Sequence, residues 1–155
     1  MVGSQDIDIS DVVKYIESAI PTVLVKYVAD VVEDILSDCI ENIVYDGSFP
    51  REGGWIGGTT YHRRHQLEKG IKSWIGKKNT LYTTSVAHPD GPVIRGSVHY
   101  GMEDGGFFKI LESENRGFIG YRTPRIVIDP AQEKVNESQE IENMFAYGIE
   151  MELGR

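Results

Sequence analysis

Apolar residues recur at helical spacing from Pro21 to Tyr45, and this commits the chain to a long helix that must lie against something. Leu24, Val28, Val31, Ile35 and Cys39 form one stripe, and Val25, Val32, Leu36 and Ile43 form a second beside it. Lys26, Asp30, Glu33, Ser37 and Glu41 lie opposite. A stripe this wide suits a helix packed on a sheet or on another helix. Asp46-Gly47 is expected to end it, since glycine takes the left-handed conformation freely. Upstream, Asp8 or Ser10 can cap a first helix, which Pro21 either interrupts or follows as the start of a new one. Cys39, at helical spacing among Val32, Leu36 and Ile43, reads as a small core residue.

Beyond the helix the pattern changes. From Gly47 to about Thr60 there is no periodicity, and Gly53-Gly54 and Gly57-Gly58 make the segment pliable. A loop of that length inside a domain is usually functional or disordered. Helical spacing returns between Tyr61 and Ile75 through His65, Leu67, Ile71 and Trp74, although Gly70 falls inside it. Leu81 to Ala87 and Val93 to Tyr100 read as strands around the turn cluster His88-Pro89-Asp90-Gly91-Pro92. Phe107 to Glu112 and Phe118 to Arg122 flank a turn at residues 114–117, and Arg125 to Ile128 reads as a last short strand. Asp129-Pro130-Ala131-Gln132 carries the signals of a helix start: an acceptor, a proline at the first helical position and a capping-box glutamine. That helix is expected to bury Ile141, Met144, Phe145, Gly148 and Ile149. The predicted fold class is α+β, with long N-terminal helices, a small antiparallel sheet and a C-terminal helix. The 155 residues make one domain, 1–155, with a long Gly-rich loop at about 47–60.

Charge narrows the partners. A net charge of −8 argues against a protein that coats nucleic acid, because such proteins gain affinity by neutralising phosphates. Residues 1–46 hold ten acids against Lys14 and Lys26, whereas residues 62–78 hold Arg63, Arg64, Lys69, Lys72, Lys77 and Lys78 against Glu68 alone. The chain is acidic again from Asp129. Acidic ends and a basic middle suit head-to-tail contact between copies, and equally suit solvated faces. No apolar run reaches the roughly 18 to 20 residues that cross a bilayer. No secretory signal opens the chain, so a cytoplasmic protein is expected. With one cysteine, neither an internal disulfide nor a thiolate zinc site is available.

Catalytic motifs fare poorly. Gly70 to Lys78 resembles a phosphate-binding loop, but its spacing is one residue too long and Lys78 stands where a magnesium-binding hydroxyl belongs. His62 and His65 would share a helix face, with His88 and His99 elsewhere. Arg63 and Arg64 beside the pair would repel a cation, however, and no HExxH spacing occurs. Cys39 on an apolar face is inert, and no serine occupies a GxSxG elbow. The sequence therefore predicts no catalytic residues, no metal and no cofactor. Tyr61, Trp74 and Tyr82 among the basic residues could stack on a single strand, against the repulsion of the remainder.

Ile43-Val44-Tyr45-Asp46, then Phe49-Pro50, then Tyr61-His62-Arg63-Arg64-His65-Gln66-Leu67, resemble structural proteins of tailed bacteriophages. Those proteins often end a long helix in VYD, follow it with an aromatic-proline pair and continue with Tyr-x-Arg-Arg-x-x-Leu. Arg122-Thr-Pro124-Arg125 is a weaker likeness. The resemblance is to the head–tail joining and tail-completion proteins, including minor tail components, and is clearest over Cys39 to Ile71. This chain departs from them in its larger glycine-rich insertion between Pro50 and Tyr61.

The resemblance implies a non-enzymatic virion protein of the neck or tail, assembled in the host cytoplasm into a ring that is often hexameric. Such a ring joins head connector to tail, touches neighbouring connector and tail-tube proteins, and surrounds passing DNA without reading its sequence. Fixed negative charge on a conduit keeps phosphates from sticking. In this reading Phe49, Gly53, Gly54, Trp55, Ile56, Gly57 and Gly58 form a subunit-contact loop, and Arg63, Arg64, Lys69, Lys72, Lys77 and Lys78 a basic contact patch. The rival readings are a small metal-dependent hydrolase or nuclease using the histidines, and a DNA-binding accessory protein using the basic patch.

Overall fold

The computed structural model describes residues 9–45, 53, 55–56, 58–60, 65–86 and 126–154. The N-terminal run is helical throughout. Helix α1 spans Ile9–Val23, a π-helical turn spans Leu24–Val28, α2 spans Ala29–Ile40 and a second π-turn spans Glu41–Tyr45. Pro21 lies inside α1 and neither stops nor starts it. The irregularity comes just downstream, where the Ala29 amide donates to the Leu24 carbonyl, five residues back. Each π-turn inserts a residue and shifts the phase of everything beyond it. Hence the buried set is Val23, Val28, Ala29, Leu36, Cys39, Ile40 and Val44, and Val25, expected in an apolar stripe, is exposed. Asp46-Gly47 lies outside the described residues.

Residues 47–60 do not form an aperiodic loop throughout. Strands β1, Trp55–Ile56, and β2, Thr59–Thr60, pair antiparallel with Trp55 opposite Thr60 and Ile56 opposite Thr59. Two residues separate the strands, and Gly58 has φ +84°, the left-handed region that tight hairpins require. Of the helical spacing expected from Tyr61 to Ile75, the described residues form one turn of helix, α3, Gln66–Lys69, and residues 61–64 lie outside the described residues. After Gly70 the chain becomes strand β3, Ile71–Ile75, which pairs in antiparallel register with β4, Leu81–Ser85. The period-two alternation of Ile71, Ser73 and Ile75 wins over the coincidental helical spacing, because it presents three residues to α2 and gives β4 a partner. Trp74, expected beside Leu67 on a helix, is exposed on the outer face. The strand expected over Leu81–Ala87 is present as β4.

The C-terminal helix starts two residues earlier than its capping signal implies and divides. Helix α4 spans Ile128–Glu137 with Val127, not Asp129, at its N-cap. Asp129 instead sits in the first turn, where its charge complements the helix dipole, and Gln132 bonds Asn136 at 2.9 Å. Ile126 and Val127 form no strand, and Ile128 is already helical. Ser138 breaks the run with extended backbone and caps α5, Gln139–Glu152, accepting from the Ile141 amide at 3.2 Å. Of the face expected to be buried, Gly148 is buried, while Ile141, Met144, Phe145 and Ile149 are half-buried. The expected strands between Val93 and Arg122 lie outside the described residues.

The core joins α2 to what surrounds it. Leu36, Cys39, Ile40 and Val44 from the long run meet Leu67 of α3 and Val127 and Ala131 at the start of α4. Ile43, Tyr45, Ile71 and Ile128 pack against this cluster. Ser85 is fully buried and donates to the Leu67 carbonyl, tying β4 to α3. At the other end, α5 packs on α1 and the first π-turn. Lys26 Nζ and Tyr27 Oη both donate to Glu152 Oε1, at 2.8 and 2.9 Å. Helices segregated from antiparallel hairpins make this an α+β fold, as the sequence predicts.

Candidate assembly surfaces and a polar cluster

Among the described residues the first half of α1 is exposed throughout. Residues 9–18 are all exposed, although Ile9, Val12, Val13 and Ile16 fall on one face at helical spacing. They are 69, 50, 44 and 38 % exposed. Amphipathic helices form that stripe to be buried, and a contiguous wet apolar patch marks an interaction site. Tyr147 and Met151 of α5 are likewise exposed. The apolar stripe expected from the sequence begins only at Pro21 and misses this surface. Its signal, Ile9-x-x-Val12-Val13-x-x-Ile16, is nonetheless visible in the chain.

The basic patch divides. Lys69 ends α3, Lys72 lies on β3, and Lys77 and Lys78 form the 3-10 turn that joins β3 to β4; all four are exposed. Arg63 and Arg64 lie outside the described residues. On the outer face of the hairpin Trp74 stands opposite Tyr82 in register. Their rings stack with centroids 5.7 Å apart and 18° between planes. Lys72 Nζ lies 5.5 Å from the Trp74 centroid, within cation–π range. A Cβ on Gly76 would overlap the Tyr82 ring as it stacks here, so glycine leaves room for the ring. Of the expected contact loop, Gly53 and Gly58 are exposed with positive φ, and Trp55 and Ile56 form β1. Phe49, Gly54 and Gly57 lie outside the described residues.

His65 finds company that its neighbours in sequence do not suggest. Its Nδ1 lies 3.1 Å from Glu68 Oε2, and its ring meets the Tyr45 ring edge-on at 5.0 Å. One potential ligand atom from each of Glu41, His65 and Glu68 falls within 4.8 Å of the others. Burial raises the Glu68 carboxyl above its ordinary value, and a hydrogen bond with Glu41 adds to this while His65 opposes it. Two carboxyls and an imidazole are a donor set that a divalent cation accepts. His65 takes φ +53°, uncommon for a residue with a side chain. Glu41 and Glu68 were not singled out in the sequence, since only tertiary folding brings the end of α2 to α3. His62, His88 and His99 lie outside the described residues.

Glu152 is the clearest electrostatic contact. The hydrogen bond from Lys26, then that from Tyr27, lowers its carboxyl below the ordinary range, and the same contact raises Lys26. Among the described residues no helix is long and apolar enough to cross a membrane. Comparison with known protein families, characterised proteins and solved structures finds no match to this chain.

Proposed function

We propose that this protein is a structural assembly protein of a tailed-phage virion, forming a ring at the neck or tail that joins head connector to tail around the DNA channel. The exposed apolar stripe Ile9, Val12, Val13 and Ile16 carries this reading, because an amphipathic helix that exposes its apolar side among the described residues is suited to burying it against a partner. The VYD, Phe-Pro and Tyr-x-Arg-Arg-x-x-Leu resemblance supplies the kind of assembly. The acidic balance suits a wall past which DNA slides. Sedimentation of the purified full chain tests the association. Wild type is expected to form a discrete oligomer, and Val12→Glu with Ile16→Glu to remain folded but sediment as a smaller species. A wild type that stays monomeric at every concentration defeats the assembly reading, and absence of the chain from purified particles by mass spectrometry defeats the virion reading.

The Glu41–His65–Glu68 cluster favours a second reading, a small metal-dependent hydrolase or nuclease. Metal analysis of the purified protein decides it: stoichiometric zinc or manganese lost in Glu68→Gln supports the enzyme, and no bound metal rejects it.

A further inference from the structure

Asp30, Asp34 and Asp38 stand four residues apart on α2, so they share one face, and all three are exposed. Like charges at that spacing repel, and aspartate is a poor residue for a helix interior. The isolated helix would be better without this ridge. Neither the Lys26–Glu152 nor the His65–Glu68 ion pair involves it.

The β3–β4 hairpin presents the complement. Its inner residues Ile71, Ser73 and Ile75 are half-buried toward α2, while Lys72, Trp74 and Tyr82 face outward. Lys77 and Lys78 extend the positive charge to the tip, and Lys69 extends it to the base. The tip is built to hold a shape. Gly76 N donates to Thr80 O at 2.9 Å, and Lys78 and Asn79 both take left-handed φ, +56° and +53°. By strand register Lys72 lies on the face of the hairpin with Trp74 and Tyr82, opposite to the face of Ile71, Ser73 and Ile75. The two surfaces have complementary sign.

We infer that the outer face of this hairpin docks on the Asp30–Asp34–Asp38 ridge of a second copy of the chain. The inference rests on the assembly reading and names the contact that propagates it. One patch meets a different patch, so the contact is heterologous, and it closes into a ring when the rotation per copy divides a full turn. Trp74 and Tyr82 supply the flat apolar centre, and the lysines supply the charged rim that sets orientation and partner choice. The α1 stripe is a separate surface of different chemistry. The two contacts therefore differ in their response to salt, which screens the lysine–aspartate contact and spares the apolar one.

Charge exchange in the full chain tests this. One variant carries Lys72→Glu, Lys77→Glu and Lys78→Glu; the other carries Asp30→Lys, Asp34→Lys and Asp38→Lys. Circular dichroism checks the fold and sedimentation measures association. Each variant alone is expected to lose association by at least about tenfold, since both facing patches then share one sign. An equimolar mixture is expected to recover it, because each variant's hairpin then faces the other's ridge with opposite charge. If a charge-reversed chain does not fold, Asp34→Asn with Asp38→Asn and Lys77→Gln with Lys78→Gln replace it, and the same loss is expected in each. Association unchanged in either variant, or a mixture that stays dissociated, overturns this contact while leaving the assembly reading intact. A wild type that never associates overturns the assembly reading itself. Salt-sensitive binding of a single-stranded oligonucleotide that the hairpin variant loses and the ridge variant keeps makes the hairpin a nucleic-acid surface and overturns the inference.

Discussion

Gly148→Ala pits two known magnitudes against each other at the place where α5 crosses the N-terminal run. Alanine is favoured over glycine in a helix interior by about 1 kcal/mol, so in an open setting the change would stabilise. Here a Cβ would stand 2.7 Å from Tyr27 Cδ2 and 2.7 Å from Val23 Cγ1, with Tyr27 Cγ at 2.9 Å. Neither neighbour can retreat easily. Val23 is fully buried, and the Tyr27 ring is held by its hydroxyl on Glu152 and by edge-to-face contact with Tyr147 at 5.8 Å. Overpacking of that kind costs about 1–3 kcal/mol. The sum is a net loss of about 1 kcal/mol, which lowers Tm by about 2–4 °C in a chain of this size. Urea and thermal unfolding followed by far-ultraviolet circular dichroism measure it. A cycle with Val23→Ala isolates the cause. Removing the Val23 methyls should cost less when the new alanine methyl fills the space, giving a favourable coupling of about 1 kcal/mol. A midpoint that rises in Gly148→Ala, or single effects that add within about 0.5 kcal/mol, refutes the close approach.

Two further outcomes follow from buried and half-buried polar groups. Ser85→Ala strands the Leu67 carbonyl in the core and should cost about 1–3 kcal/mol in chemical denaturation, whereas a loss under about 0.5 kcal/mol would mean the bond is dispensable. Glu68 binds its proton more tightly in the fold than in the unfolded chain, so its contribution is full below its ordinary pKa near 4.5 and is lost as pH rises through the raised folded value. Glu68→Gln should therefore gain in Tm relative to wild type as pH climbs from 4.5 toward neutrality; a difference that does not vary with pH contradicts the assignment.

What could be read from the chain alone was whatever depended on local period. The amphipathic run, the β4 strand and the burial of Cys39 all follow from spacing within a few residues. Phase was another matter. Val25 fits an ideal helical stripe, but a π-turn adds a residue and turns it outward. His65, Leu67, Ile71 and Trp74 satisfy helical spacing and Ile71, Ser73 and Ile75 satisfy strand alternation. Only pairing with Leu81–Ser85 and packing on α2 decide between them. Ser138 carried a capping signal inside an apparently continuous helix, while Asp129, the better-looking cap, lies inside the first turn. The approach of Glu41 to Glu68 could not have been read at all, because nothing local relates the two.

The π-turn at Leu24–Val28 also sets a heading. A regular α-helix advances about 100° per residue. Deleting any one residue of that turn would let α1 and α2 merge into an even helix, and α1 would swing by about that angle while the α2 core stayed in place. The Ile9–Ile16 stripe would then face another quarter of the compass with every one of its side chains intact. A single residue thus works as a vernier for the N-terminal arm. A one-residue length change between Leu24 and Val28 would redirect the arm toward a different neighbour more thoroughly than any substitution on its surface.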